Sequence, residues 1–273
     1  MKTGITLVTM AQGNPKALYQ TFKSFWGIVD EIIFGDLTLF LQDSELIKSY
    51  QNQFNLKIVK YPFNYIFANG FSSVLNSLIS HSTNEYCIYM NCSEIIEEGR
   101  DGILATINDN PDCNTFYFDH KSDGHRWFRL GKKSELNWDG LIHESLGPLD
   151  DYRPFHRPLF TMCDLPKDND NPFKSRCYDF CKEIVYFNNY RRLIDDPHLI
   201  GNTDPGWLVF AKDNYQSFID RMENKGDFYR AFLTDDIELL YSYIYNSPDF
   251  EKERLESSTL IEYQNSPMFL GKS

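Results

Sequence analysis

The densest group of chemically able side chains follows a short apolar run, Tyr86-Cys87-Ile88-Tyr89-Met90. That run is too short for a helix and reads as a strand buried on both faces. Its apolarity stops at Asn91, and Asn91, Ser93 and Glu94 follow, two neutral oxygen-bearing side chains and one carboxylate. In open parallel sheets ligands bind beyond the carboxyl ends of the strands, so this exit is a candidate floor for a site. The other reading is an ordinary strand exit with polar turn residues. Further along, Arg126 and Arg129 stand three apart in an apolar run. On a strand that spacing sends them to opposite faces, so one at most points into the same crevice. A later stretch, Trp138 to Glu144, carries Asp139, His143 and Glu144, an imidazole and two carboxylates.

Such groups need a scaffold, and the first hundred residues supply one. Ile5 to Met10 is an apolar run that exits into Ala11-Gln12-Gly13-Asn14. Asn14 before Pro15 starts a helix, with an N-cap followed by a first-turn proline. Leu18, Phe22 and Phe25 then recur at helical spacing. Glu31–Phe34 reads as a second strand closing at Gly35-Asp36, Ser44 opens a helix, and Leu56–Val59 is a third strand. A third helix spans Phe71–Ser82 and leads into the Tyr86 strand. Strand and helix alternating in this way predict a parallel sheet with right-handed crossovers.

After Glu94 the rhythm changes. A helix is predicted after Gly102, then strands at Thr115–Phe118, Arg126–Leu130 and Trp138–Ile142, with no helical period between them. These are expected as antiparallel additions to the sheet. Residues 150–173 are rich in Pro, Asp and Asn and read as a long ordered loop or hinge. Helices are predicted at 175–194, 206–223 and 227–245. The expected division is therefore a sheet domain over 1–149 and a mainly helical extension over 150–273 packed on it.

Composition narrows the function. The chain has 273 residues, 42% hydrophobic, 24% charged and 16% aromatic, enough for a solid core with rings to spare for a ligand wall. A net charge of −12 argues against a nucleic-acid groove and against docking on anionic lipid by charge alone. No signal peptide and no transmembrane run is visible, and the six scattered cysteines read as reduced thiols, so a cytoplasmic location is expected.

Six local matches, in order, resemble family 2 glycosyltransferases of the A-type, nucleotide-diphospho-sugar transferase fold. Gly27-Ile28-Val29-Asp30-Glu31-Ile32-Ile33 and then Asp36 match the second strand and its exit acid. Phe71 through Asn76, and Ser80-His81-Ser82-Thr83, match the helix before the diagnostic strand. Tyr89-Met90-Asn91-Cys92-Ser93-Glu94 occupies the place of Leu-Asp-Ala-Asp-Glu. Arg126-Trp127-Phe128-Arg129-Leu130 and Trp138-Asp139-Gly140-Leu141-Ile142-His143-Glu144 match the late signature of one branch. The departures are acidic ones. Asn91 and Ser93 replace both Asp of the metal motif, Asn69-Gly70 replaces a pair of acids, and Gly13-Asn14 replaces an Asn-Glu pair.

The resemblance implies an α/β fold with a mixed sheet flanked by helices, and a cytoplasmic enzyme that transfers a hexose from a nucleotide diphosphate sugar, a UDP-sugar by preference. The acceptor would be a hydroxyl on a glycan, lipid or protein. The nucleotide would lie against Thr9, Met10, Gln12, Asn14, Asp36, Asn69, Asn76, Asn91, Ser93 and Arg129, with Asp36 at the nucleoside. Asp139 would be the base, alongside His143 and Glu144 as catalytic residues. Mg²⁺ or Mn²⁺ would be held by Glu94 and His143. Neutral oxygens hold hard cations far more weakly than carboxylates do. Three readings therefore stand open: a weakly held metal, a metal-free site using Arg126, Arg129, Lys132 or Lys133 as phosphate clamps, or a catalytically silent protein that binds sugar nucleotide or glycan.

Overall fold

The structure is a computed structural model that describes residues 3–11, 13–38, 40–62, 65–121, 126–140, 145–146, 161–164, 172–201 and 205–223, with the single positions 230, 239 and 242. The opening alternation is as predicted: β1 (Ile5–Ala11), α1 (Pro15–Ser24), β2 (Glu31–Asp36), α2 (Leu41–Ser49), β3 (Leu56–Lys60), α3 (Tyr65–Ser80) and β4 (Tyr86–Tyr89). Strands β3, β2, β1 and β4 lie side by side in that order, all parallel. Their carboxyl ends, at Ala11, Asp36, Lys60 and Tyr89, therefore share one edge of the sheet.

Then come β5 (Glu94–Glu98), α4 (Ile103–Asp109), β6 (Thr115–His120) and β7 (Arg126–Lys132). β7 runs antiparallel to both β4 and β6, as expected. β8 (Trp138–Asp139) and β9 (Ser145–Leu146) form a separate two-stranded ribbon, shorter than the predicted strand over Trp138–Ile142. β10 (Thr161–Asp164) completes an eight-stranded mixed sheet by pairing parallel with β6 and antiparallel with β5. The α/β class and the mixed sheet with helices on both faces are those the resemblance implies.

Two strands of the eight-stranded sheet, β5 and β10, were missed in the sequence, as was the short β9 of the ribbon. The acids of Glu94-Ile95-Ile96-Glu97-Glu98 mask a strand whose partner, β10, lies far along the chain. That partner comes from the stretch read as loop or hinge, so the expected boundary near residue 149 is crossed by the sheet itself.

Packing explains the layers. On one face, Leu18, Phe22 and Phe25 of α1 join Ile5, Leu7, Ile32, Phe34, Ile88 and Phe116 in one buried cluster. On the other face α3 buries Val74, Leu75, Leu78 and Ile79. Gly35 of β2 admits α3 there, since a Cβ would lie 2.9 Å from a Leu78 methyl. α3 is two stretches merged across Gly70, whose backbone sits at φ 78°, ψ 169°. Only the second stretch was predicted.

The C-terminal part contributes α5 (Pro172–Asp195), a 3-10 turn (Pro197–Ile200) and α6 (Gly206–Glu223), close to the first two predicted helices. Apart from the three single positions, the predicted helix over 227–245 lies outside the described residues. Tyr190, Leu193 and Ala211 form a small core between α5 and α6, against which Phe71 of α3 packs. No helix among the described residues is long and apolar enough to cross a membrane.

Candidate functional site at the strand tips

The tip of β4 is held by a closed set of polar contacts. Both oxygens of the Glu94 carboxylate are taken. Oε1 accepts from Asn91 Nδ2 at 2.7 Å and from Arg129 Nη2 at 2.8 Å. Oε2 accepts from the Asn91 backbone N–H at 2.8 Å. The ion pair is buried, its side chains 6% and 4% exposed. Asn91 in turn accepts from the Tyr89 hydroxyl at 2.6 Å. The Arg129 guanidinium lies 4.9 Å over the Tyr89 ring, and Trp138 meets that ring edge-on at 5.1 Å. From α1, Thr21 Oγ1 donates to the carbonyls of Cys92 and Glu94. With both carboxylate oxygens engaged, the buried pair keeps its charges neutralised and the turn fixed.

α3 carries the second half of the site. Asn76 grips the Trp138 backbone from both sides, Nδ2 donating to its carbonyl and Oδ1 accepting from its N–H, each at 2.8 Å. One turn earlier, Ser72 Oγ donates to the Gly140 carbonyl. Residues four apart share one helix face, so Ser72 and Asn76 together fix the Trp138–Gly140 segment. Trp138 is 7% exposed and serves as a core ring rather than an open sugar platform. Between these anchors stands Asp139, half-buried, with Oδ1 accepting from the Gly140 N–H at 2.8 Å. Gly201, at φ 61°, closes against it, since a Cβ there would lie 2.5 Å from the Asp139 carboxylate.

The β1–β2 side is more enclosed than expected. Asp36 is 3% exposed and spends its carboxylate on its own turn. Oδ1 accepts from the N–H and hydroxyl of Thr38, and Oδ2 from the Ser44 hydroxyl at 2.7 Å. Thr9 is fully buried in β1, its hydroxyl without a partner among the described residues. Met10 is half-buried and lies beside Gly35 of β2. Asn14 caps α1, accepting from the Ala17 N–H at 3.1 Å. Asn69 is exposed and donates to the Tyr65 carbonyl within α3. Gln12, His143 and Glu144 lie outside the described residues, as does the side chain of Arg126.

α5 roofs this edge, a feature absent from the sequence reading. The Tyr178 ring presses on the backbone of Gly13, where a Cβ would lie only 2.1 Å from it. The Tyr178 hydroxyl donates to Asp43 Oδ2 at 2.9 Å, and the ring meets Phe40 at 5.5 Å. Two turns on, Tyr186 packs on Phe71 of α3 at 6.3 Å. The signal was present as Tyr178, Lys182 and Tyr186 at successive i, i+4 positions.

Two expectations for charge concern Lys132 and Lys133 as phosphate clamps and Glu94, with His143, as metal ligands. Lys132 lies beside Tyr86, at the start of β4, and so at the opposite end of the strands. Its ammonium donates to the Pro111 carbonyl, while Lys133 donates to the carbonyls of Ser80 and Ser82. Neither reaches the strand tips. The second concerns the metal. Glu94 offers no spare oxygen, and the Arg129 cation already sits against it. The oxygen of Asn91 is likewise engaged by Tyr89. These donors do not fit a divalent cation, which needs free, negatively charged oxygens. Burial pushes the Cys92 thiol up to about 11, Glu94 adding to the rise and Lys182 opposing it. At neutral pH Cys92 therefore stays a protonated thiol. A separate cleft lined by Phe22, Trp26, Gln53 and Phe54 contains Glu31, at the start of β2, and none of the expected site residues.

No family model matches the chain, and no curated protein matches it. Among solved structures it is similar to residues 1–349 of S. aureus TarS, at 9% identity and a TM-score of 0.44, over 93% of this chain and 92% of that one. The same TarS segment in complex with UDP-GlcNAc matches at 8% identity and a TM-score of 0.43, over 89% and 90%. Its complex with UDP matches at 13% identity and a TM-score of 0.37, over 99% and 92%.

Proposed function

We propose that the chain is a glycosyltransferase of the A-type fold that moves a hexose from a nucleotide diphosphate sugar, a UDP-sugar by preference, to an acceptor hydroxyl on a glycan, lipid or protein. One observation carries the reading: the polar network at the β4 tip and the Asp139 segment are locked together through Trp138. Tyr89 belongs to the first, Asn76 holds the second, and the Trp138 ring touches one while its backbone is gripped by the other. A transferase needs this juxtaposition, because the leaving diphosphate and the acceptor's base must keep a fixed separation.

In this reading the sheet domain, residues 1–149 with β10 added from beyond them, forms the sugar-nucleotide unit and α5 its roof. The exposed edge of Asn91 and the Ser93 hydroxyl meet the diphosphate. Asp139 takes the proton of the acceptor hydroxyl, as a carboxylate base does. His143 and Glu144 belong to the same segment and stand as further catalytic candidates. No step runs through a metal ion, because the Glu94 oxygens are engaged.

A second reading has an observation of its own. Asp36 and Glu94 are both saturated by protein donors, as suits a silent protein that only binds a sugar nucleotide or glycan. Incubation with UDP-hexoses separates the two. Slow release of free hexose and UDP, lost in Asp139→Asn, supports the transferase. Binding of UDP with no turnover of any donor favours the silent protein.

A further inference from the structure

The strand-tip edge poses a problem of charge. A nucleoside diphosphate brings two to three negative charges, yet the metal motif is absent, Glu94 has neutralised Arg129, and Lys132 and Lys133 lie at the far end of the strands. Lys60 stands on the same edge but at the tip of β3, three strands from β4, so the diphosphate needs a cation nearer the β4 turn if it is to bind there.

α5 offers one. Tyr178 anchors the helix on the loop after β1 and on α2, through Gly13, Phe40 and Asp43. Tyr186 anchors it on α3 through Phe71. Lys182 lies midway, four residues from each, and therefore on the same face of the helix, between the two anchors. It is exposed, and among the described residues its ammonium lies over the face of the Tyr186 ring, 5.6 Å from the ring centroid. Among the described residues it makes no ion pair. The edge these anchors cover ends in the turn after β4, Asn91-Cys92-Ser93, the place the resemblance assigns to the metal motif.

Resting on the nucleotide-sugar reading above, we propose that Lys182 supplies the positive charge that receives the diphosphate, and that the chain binds nucleoside diphosphate without a divalent cation. An ammonium on a long flexible stem suits a phosphate as a point charge, as lysines do at other phosphate sites. Because Lys182 belongs to α5, the helical segment completes the site rather than merely bracing the sheet.

Calorimetric titration of UDP and UMP into the full chain tests this, in EDTA and again in Mn²⁺, with wild type, Lys182→Gln and Lys182→Arg. The wild type is expected to bind UDP equally in both buffers. Lys182→Gln is expected to weaken UDP by about tenfold or more, and UMP by less. Lys182→Arg should retain most of the UDP affinity. Tightening of the wild type by Mn²⁺ of about tenfold, or unchanged UDP affinity in Lys182→Gln, overturns the proposal and leaves the nucleotide reading standing. No UDP binding by the wild type in either buffer overturns the nucleotide reading itself, and this proposal with it.

Discussion

At the scale of single residues, the strongest constraint is the buried pair of Glu94 and Arg129. Removing one member leaves the other buried without its counter-charge, so Arg129→Met is expected to lower stability by about 3–5 kcal/mol in urea unfolding. Glu94→Met in the same background should cost less than the sum of the two single changes, because the double variant strands no charge. Additivity would show that the two residues act independently. The polar end of the Tyr86–Met90 strand was legible in the sequence, since an apolar run cannot hide where it stops. The fate of those polar groups was not. Glu94 and Arg129 are 35 positions apart, and only the register of β7 on β4 brings them together. Asp36 shows the same limit. Its type and place were readable, but the three hydrogen bonds that consume it come from Thr38 and Ser44, residues that look unremarkable in a loop and a helix start.

At the scale of elements, one clamp holds the Trp138–Gly140 segment at the site and another ties the strands together at their far end. Asn76 substitutes for a strand partner of Trp138, and Asn76→Ala should destabilise the fold by about 1–3 kcal/mol, because two backbone groups lose their partner. Donor turnover should fall with it if Asp139 is the base; turnover unchanged in a folded variant would remove Asp139 from the reaction. The other clamp is Glu31, at the start of β2. Burial alone would raise its carboxyl, but hydrogen bonds from Thr6, Thr83 and Asn84 outweigh burial and hold it below the ordinary 4.5. A carboxyl depressed in the folded state adds stability that is complete above its unfolded value and fades as pH falls through the folded one. The gap in unfolding free energy between wild type and Glu31→Gln should therefore be widest near neutrality and close in acid. A gap independent of pH would show that the charge plays no part. Helices and parallel strands were readable from periodicity because each element carries its own pattern. β5 and β10 were not, because short strands far apart in the chain define each other only by pairing.

At the scale of the whole molecule, the C-terminal segment is part of the machine. It lends β10 to the sheet, lays Tyr178 on Gly13 and sets Gly201 against Asp139. Gly201→Ala should be poorly tolerated, both because φ 61° disfavours a side chain and because the carboxylate occupies the space. Circular dichroism melting would register the loss. An unchanged melting temperature would place Gly201 away from Asp139. The sequence suggested two halves because composition changes near residue 150, whereas a short strand and the i, i+4 aromatics of α5 join them without naming their partners. The central claim is that the tips of β1, β2 and β4, under α5, form a seat for a nucleoside diphosphate. Electron density from crystals of the full chain soaked with UDP tests it most directly. The diphosphate is expected beside Asn91 and Ser93, within reach of Lys182. Density only in the Trp26–Phe54 cleft, or none at a UDP concentration that saturates the protein in solution, would contradict it.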